Sequence, residues 1–553
     1  MCNLIDKIRN SVIGEQASIT TAFGRKPLVY ADYTASGRSL GMIEDYIRDH
    51  VLPYYANTHT ETSYTGAQTT ALREQARQQI RSALNANDDH SVIFCGSGAT
   101  AAVNKLIDIL NLKLPADLNA RYKLEQHIPE DERPVVFIGP YEHHSNELPW
   151  RESIADVVSI PLCEGGQVCL DDLEKQLIKY ADRPLKIGSF SAASNVTGVK
   201  TDVDTVTRLL HKHGALSFWD YAAAGPYVGI DMQGAQNEEG DSSKDAIFLS
   251  PHKFVGGPGT PGVLVVKDAI LNNRVPAMPG GGTVLYVTPK DHCYVANPER
   301  REEGGTPAIV ESVRAGLVFK LQQAVGTDEI ERREEDFVSC AIARWSKCKN
   351  IEILGNPEAP RLSITSLKIT HKGKDLHYGF IVAVLNDLFG IQARGGCSCA
   401  GPYGHTLLGM DMQYSKAVEA QLAQGHMILR PGWIRLNFNY FIDEDTFEYL
   451  VRAVELVAEH GWKLLPFYRF DPNGSIWRYQ DHKTELAASL DTLDFTALPA
   501  APTAARPSLA ETMKAAEAEL LRTHGTEQRY KVEQPDKVEE LRWYVRPQDV
   551  KVA

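Results

Sequence analysis

"SPHKFVGGPGTPG", residues 250–262, sets Lys253 directly after an apolar run and directly before a glycine-rich turn. An amine attacks a carbonyl only when neutral, so a lysine at a strand end beside a cofactor pocket is where a Schiff base can form. The plain alternative is a solvated lysine on a surface turn. The flanking runs "DAIFLS" and "GVLVVK" make the stretch a strand–turn–strand, which places it at the end of a sheet.

Working outward, short β-rich apolar runs alternate with helical periodicity from about residue 90 to 270. "SVIFCG", "PVVFIGP", "DVVSIPL", "LKIGSFS", "ALSFWDYA", "DAIFLS" and "GVLVVK" are the strand candidates. "ATAAVNKLIDIL", "LDDLEKQLIKYA" and "TDVDTVTRLLHKHG" are the helices between them. The alternation predicts an α/β fold with a mostly parallel sheet, whose ligands collect beyond the carboxyl ends of the strands. Two long helical stretches, "TPAIVESVRAGLVFKLQQAVG" and "DEIERREEDFVSCAIARWSKC", lead to a strand/helix mixture that reads as a small α+β domain. The expected organisation is a helical N-terminal segment over 1–27, a large α/β domain over 28–325, the small domain over 326–470 and a C-terminal extension over 471–553. That extension contains a Pro/Ala linker, "ALPAAPTAARPS", and a short helix, "LAETMKAAEAELLRTHG". "ADLNARYKLEQHIPEDERP" reads as a surface insertion.

Composition narrows the partners. The 553 residues carry 58 Lys+Arg against 71 Asp+Glu, a net charge of -13, with no basic run or basic/aromatic stripe, so a small-molecule substrate is expected rather than nucleic acid. No window approaches the roughly 20 apolar residues of a membrane span, and the N-terminus lacks a signal-like apolar region, so a cytoplasmic protein is expected. Nine cysteines, an odd number scattered through apolar strands, argue against a disulfide framework.

Three further stretches carry chemistry. "CGSGATAAVNK" runs strand, small-residue turn, helix; its free N–H groups around Ala99, with the Thr100 hydroxyl, suit a phosphate, although tight turns need glycines for steric reasons too. "SFWDYAAAGP" ends a buried strand on Asp220, either a turn former or a partner for a protonated ring nitrogen. "YEHHSNELPW" brings His143 and His144 to another strand end, where a histidine can equally satisfy core hydrogen bonds or lie flat on an aromatic ring.

Taken in order, the phosphate turn, His143, Asn195, Asp220 and "SPHK" resemble the fold type I pyridoxal-phosphate enzymes of aminotransferase class V, nearest to cysteine desulfurases and selenocysteine lyases. "YADYTASG", "YANTHTETS" and "EEGGTP" are similar to further segments of that family, and the resemblance spans roughly 28–460. It implies pyridoxal 5'-phosphate as cofactor, with Lys253 holding the cofactor aldehyde and later moving the Cα proton. It implies that Asp220 keeps the pyridine nitrogen protonated and that His143 stacks on the ring. Ala99, Thr100, Ser250 and His252 would bind the phosphate, and Thr306 would reach the phosphate of a neighbouring subunit, so a homodimer is implied. Arg435, in "WIRLNFNY", would grip the substrate carboxylate with Asn195, and His59 and Arg394 would line the substrate side. One departure is Ala223, where desulfurases usually carry a Gln that contacts the cofactor's ring oxygen.

The stretch "ARGGCSCAGPYGH", 393–405, can be read as part of a metal site, a redox pair, or a loop delivering a thiolate. Cys397, Cys399 and His405 could offer three zinc ligands, but C-x-C is tight spacing with no second Cys/His pair nearby. A glycine-rich loop with two buried cysteines is the plainest reading. The resemblance aligns Arg394 and Cys399-Ala400-Gly401-Pro402 with the desulfurase catalytic segment, making Cys399 the nucleophile that removes sulfur or selenium from L-cysteine or its selenium analogue, forms a persulfide and leaves alanine. Cys397 falls where relatives carry a histidine, near enough in sequence to attack that persulfide and release sulfide. A sulfur-acceptor protein would then be a partner. The alternatives are a class V aminotransferase, epimerase or C–S lyase acting on another amino acid and, from a different class, a non-catalytic scaffold that has kept the fold.

Overall fold

The computed structural model describes residues 2–58, 60–480, 482–484, 487–498, 505–523 and 528–551. Half of the Pro/Ala linker, 499–504, lies outside the described residues. The chain forms two compact units, each discontinuous in sequence: the first comprises residues through Val12, Thr34–Arg333 and Glu358–Leu362, the second Ile13–Tyr33, Glu334–Pro357 and Ser363 onward.

The seven apolar runs become the strands of one sheet in the first unit: β1 (His90–Cys95), β2 (Val135–Ile138), β3 (Asp156–Ser159), β4 (Lys186–Ser191), β5 (Leu216–Asp220), β6 (Ala246–Leu249) and β7 (Gly262–Lys267). Their spatial order is β1-β7-β6-β5-β4-β2-β3, parallel except where β7 meets its two neighbours. The inner strands are buried at nearly every residue because helices cover both faces, which is why they read as unbroken apolar runs. Only β3, at the edge, is half exposed. The helix Gly98–Ile109 presses Ala102, Val103 and Leu106 into the same cluster as Ile93, Phe218, Phe248 and Leu264.

Register explains a glycine at the carboxyl end of this sheet. Gly262 pairs with Cys95, and a Cβ on it would sit 2.1 Å from the Gly98 carbonyl oxygen. Only a residue without a side chain lets β7 run that close to the turn after β1. The insertion at 116–134 is largely exposed, with one short α-helix, Ala116–Tyr122, and two 3-10 turns, Leu124–His127 and Glu130–Glu132.

The second unit carries an antiparallel sheet of β8 (Ile351–Ile353), β9 (Ile364–His371), β10 (Arg394–Gly396) and β11 (Trp433–Asn437), ordered β8-β9-β11-β10, with Lys374–Asp375 pairing off β9. The helices Tyr378–Phe389 and Glu444–His460 bury Phe380, Leu385, Leu450 and Val454 in its core. Two parts of this unit depart from the expected organisation. Residues 13–27 are not helical: Ser18–Thr21 and Gly24–Pro27 form a hairpin, and only Cys2–Ser11 is a helix. The C-terminal extension is not a separate appendage, because Trp477, Leu520, Val538, Tyr544 and Val550 are buried in the core of the second unit. Its polar composition hid this, since a few large side chains suffice to dock a tail.

Candidate active site

In the first unit, five strands deliver the predicted residues to one end of the sheet. The turn after β1 opens the helix Gly98–Ile109, and Ser97 gives that helix start no side-chain cap. The Ala99 N–H donates to Ser250 Oγ at 2.9 Å, bringing the residue after β6 onto this helix start. Gly98 adopts φ +57°, and a Cβ there would lie 2.9 Å from Ser250 Oγ and 3.0 Å from His252 Cε1. Gly98, Ala99, Ser250 and His252 thus enclose a small cradle that a methyl group would fill. Burial and the adjacent Lys253 charge push the His252 imidazole down to about 4, so it is neutral near pH 7.

Thr100 is exposed on the same turn and shares a 2.6 Å hydrogen bond with Ser145 Oγ. Ser145 in turn contacts His143 Nδ1 at 3.0 Å, and the Ser145 N–H donates to that same nitrogen at 3.1 Å. A backbone donor on Nδ1 leaves the proton of neutral His143 on Nε2. Ser145, which the sequence reading passed over, therefore ties the turn after β1 to the histidine.

Asp220 ends β5 fully buried, accepting the Ala222 N–H on Oδ1 at 2.8 Å. Burial pushes its carboxyl up, opposed by that N–H and by the Lys253 charge, so Asp220 and Lys253 interact electrostatically. Behind it Glu142 is buried and accepts from the Ser191 N–H, Ser191 Oγ and Asn146 Nδ2 at 2.8, 2.6 and 2.7 Å. Burial raises Glu142 to about 7 against those bonds. It fixes the turns after β2 and β4 to each other. The sequence showed it in "YEHH", but a buried carboxylate among donors has no periodic signature. Asn195 is buried in the turn after β4, where Ser194 Oγ accepts the N–H groups of Val196 and Thr197. Ala223 is buried near Asp220 in sequence.

Thr306 is exposed, 3.4 Å from Asn57 Nδ2. Its turn is anchored by Glu303, which pairs with Arg73 at 2.6 Å and Arg77 at 3.0 Å and accepts the Phe94 N–H of β1. His59 lies outside the described residues.

In the second unit, Arg394 and Arg435 face each other across β10 and β11. Like charges at such a pair repel. Asp32 lies between them, 2.9 Å from Arg435 Nη2 and 3.7 Å from Arg394 Nε. The segment holding Asp32 is laced to β11: the Tyr33 N–H donates to Asn437 Oδ1, and the Asn437 N–H donates to the Ala31 carbonyl. Arg435 is buried and Arg394 half exposed, so two cations share one carboxylate and a second carboxylate is electrostatically favoured there. Burial pulls the Arg435 guanidinium below its ordinary value, and Asp32 and then Cys399 oppose this. Cys399 is thereby placed within electrostatic reach of Arg435. Asp32, another residue the sequence reading did not single out, stood inside the quoted "YADYTASG".

Cys397-Ser398-Cys399-Ala400 form a tight turn closed by the Ala400 N–H on the Cys397 carbonyl at 3.2 Å. Ser398 and Cys399 both take positive φ, 54° and 55°, the pattern of a type I′ turn, at roughly 1 kcal/mol or more for each non-glycine residue. The turn exposes Cys399, while Cys397 is half buried. No group of three or more His, Cys, Asp or Glu side chains able to hold a metal ion occurs among the described residues, so Cys397, Cys399 and His405 do not assemble as one. The eight cysteines with described side chains are free thiols.

Comparison with known proteins bears on these two sets of residues. The family model "Aminotransferase class-V" matches residues 29–418, which ends before Arg435. A relative in Halalkalibacterium halodurans named probable cysteine desulfurase is 29% identical over 380 residues, covering 68% of this chain and 85% of its own. One of the same name in Staphylococcus aureus is 28% identical over 397 residues, covering 71% and 88%. Among solved structures, a cysteine desulfurase from Thermococcus onnurineus superposes with a TM-score of 0.63 at 20% identity, over 82% of this chain and 97% of that one. The Escherichia coli cysteine desulfurase CsdA gives 0.59 at 20% identity, over 78% and 94%. The fold is the aminotransferase-like α/β fold of type I, as the family resemblance implied, and its mostly parallel sheet is the one the strand pattern predicted.

Proposed function

The chain belongs to the aminotransferase class-V family, and we propose on that premise that it is a pyridoxal-phosphate-dependent cysteine desulfurase, taking sulfur from L-cysteine onto Cys399 and leaving alanine. The observation that carries the reading is the exposed Cys399 thiol, held in a left-handed turn within electrostatic reach of a buried arginine in the same unit.

The cofactor fits the first unit on the chemistry of its donors. The cradle of Ala99 N–H, Ser250 and His252, with Thr100 beside it, suits a phosphate, and a buried carboxylate, Asp220, suits a protonated ring nitrogen. Once bound, pyridoxal phosphate supplies an electron sink that acidifies the Cα proton of an amino acid. The Lys253 amine holds the cofactor and takes that proton on Nζ. His143, its Nδ1 occupied by the Ser145 N–H, presents its ring face and its Nε2–H. Arg435 binds the substrate carboxylate with Arg394 alongside, and Asn195 assists. The Cys399 thiolate attacks the substrate sulfur; the C–S electron pair stays on the substrate carbon, which takes a proton, and alanine departs. Thr306, exposed on its anchored turn, serves the phosphate of a second copy in a homodimer, and an acceptor protein is the physiological exit for the sulfur.

The test is incubation of the protein loaded with pyridoxal phosphate with L-cysteine, L-selenocysteine and a panel of keto acids. Alanine in amounts matching sulfide plus protein-bound persulfide supports the reading, and Cys399→Ser should lower alanine formation from L-cysteine by at least about 100-fold, on the order of a lost nucleophile. Keto-acid-dependent transfer without sulfur release would replace it with an aminotransferase, the reading that Ala223 keeps open.

A further inference from the structure

A desulfurase needs one cysteine in its loop, and this loop has two in a single turn. The two thiols are placed differently. Cys397 follows directly on β10, whose end is locked by backbone packing: a Cβ on Gly432 would lie 2.7 Å from Gly396 Cα, and one on Gly395 would lie 2.8 Å from the Tyr378 ring. Cys397 is half buried there, close enough to the Tyr378 phenol to act on its ionisation. Cys399 stands exposed at the third position of the turn, on the side that senses Arg435. The i-to-i+3 hydrogen bond and the two left-handed residues fold the backbone back on itself between them. Consecutive Cα atoms lie about 3.8 Å apart. In a turn this tight, the Cα atoms of residues i and i+2 therefore fall within the roughly 4.4–6.8 Å a disulfide spans.

We infer that Cys397 is a resolving thiol for this site: it attacks the persulfide on Cys399, closes a Cys397–Cys399 disulfide and expels hydrosulfide. The inference rests on the desulfurase reading above. The balance is direct. The Cys397 thiolate forms a bond to Cys399 Sγ, the Cys399 S–S bond to the outer sulfur breaks, and its electron pair leaves with that sulfur as hydrosulfide. The sulfane sulfur is reduced by two electrons and the two thiols are oxidised by two. Resetting the site consumes a dithiol reductant, or two equivalents of a monothiol, by ordinary thiol–disulfide exchange. The enzyme then releases free sulfide at the expense of a thiol reductant, without needing an acceptor protein to unload each turnover. Hydrosulfide is a low-pKa leaving group, which favours attack at the inner sulfur.

The experiment is one turnover of the holoenzyme with L-cysteine in the absence of added thiols, reading alanine, released sulfide and the mass of the proteolytic peptide that contains both cysteines. Expected for the wild type is sulfide equal to alanine, with that peptide lighter by two hydrogens. In Cys397→Ser the sulfide released per alanine should fall at least tenfold, and the peptide should carry one extra sulfur on Cys399; Cys397→Ala should behave alike. With a dithiol present, the wild type should regain turnover after its first burst. Alanine formed with the persulfide retained on wild-type Cys399, or equal sulfide per alanine in wild type and Cys397→Ser, would overturn the resolving role and leave the desulfurase reading standing. No alanine from L-cysteine would overturn both.

Discussion

His377 is buried at the start of the helix Tyr378–Phe389, and its protonation should govern how the acid limb of stability behaves. Its Nδ1 accepts the Gly379 N–H at 3.0 Å and faces Trp477 Nε1 at 3.2 Å, while Nε2 bonds the Ile428 carbonyl at 3.2 Å. Two donors on Nδ1 leave Nε2 as the protonated nitrogen, and no place for a second proton. Tyr378, Trp477, Trp543 and Tyr544 ring the imidazole at 4.5, 5.6, 5.3 and 5.4 Å. Burial holds it down to about 3, against about 6.5 in the unfolded chain. The folded state therefore refuses a proton that the unfolded state takes up. The contribution is fully present above pH 6.5 and is lost progressively as pH falls toward 3. At pH 5 the gap of 1.5 units is worth about 2 kcal/mol, and at pH 4 about 3 kcal/mol. His377→Gln keeps an acceptor for Gly379 but cannot titrate. It should be less stable than the wild type at pH 7.5, and that gap should shrink by about 2 kcal/mol by pH 5. Urea unfolding followed by tryptophan fluorescence, both proteins at each pH, cancels other titrating groups such as His252, which shifts in the same direction. Parallel stability curves for the two proteins from pH 7.5 to 5 would refute the reasoning.

Asp32→Ala leaves Arg435 buried without its carboxylate and should cost about 3 kcal/mol; a small carboxylate such as acetate should then raise the melting temperature of the variant more than that of the wild type. Equal melting of the two proteins would mean Asp32 does not hold Arg435 in place. Gly98→Ala puts a methyl group 2.9 Å from Ser250 Oγ at a left-handed position, so fluorescence titration should show pyridoxal phosphate binding at least about tenfold more weakly. Unchanged affinity would take the turn after β1 out of the cofactor site.

The sheet was readable because its strands are buried on both faces and their apolar runs are uninterrupted. The strand-end residues were readable because ligand-facing side chains collect at carboxyl ends: Thr100, His143 and Lys253 come within five residues of a strand's last residue, and Asp220 is itself one. What the sequence hid is what acts through another group. Ser145 matters only because folding sets it between Thr100 and His143, and Glu142 only because Ser191 and Asn146 arrive from elsewhere to donate to it. Asp32 and Arg435 stand 403 residues apart, and nothing local marks them as a pair. The tail misled for a different reason: Trp477 and the adjacent pair Trp543 and Tyr544 lie in short clusters within a polar background, too short to leave a period to detect.

That tail meets the thiol chemistry through one ring. Trp543 lies nearly parallel to Tyr378, 9° between planes and 6.2 Å between centres, and bonds the Leu429 carbonyl through its indole N–H. Tyr378 also packs against the glycines at 395 and 432 that fix the end of β10, which Cys397 directly follows. A stacked aromatic pair contributes on the order of 1 kcal/mol, similar to the cost of one left-handed non-glycine residue, and this turn contains two. The extension therefore packs on the ring against which the end of β10 is set. Because Trp543 also stacks on His377, protonating that histidine works against the same support. Acid and loss of the tail should thus disturb the Cys397–Cys399 turn by one route, through Tyr378.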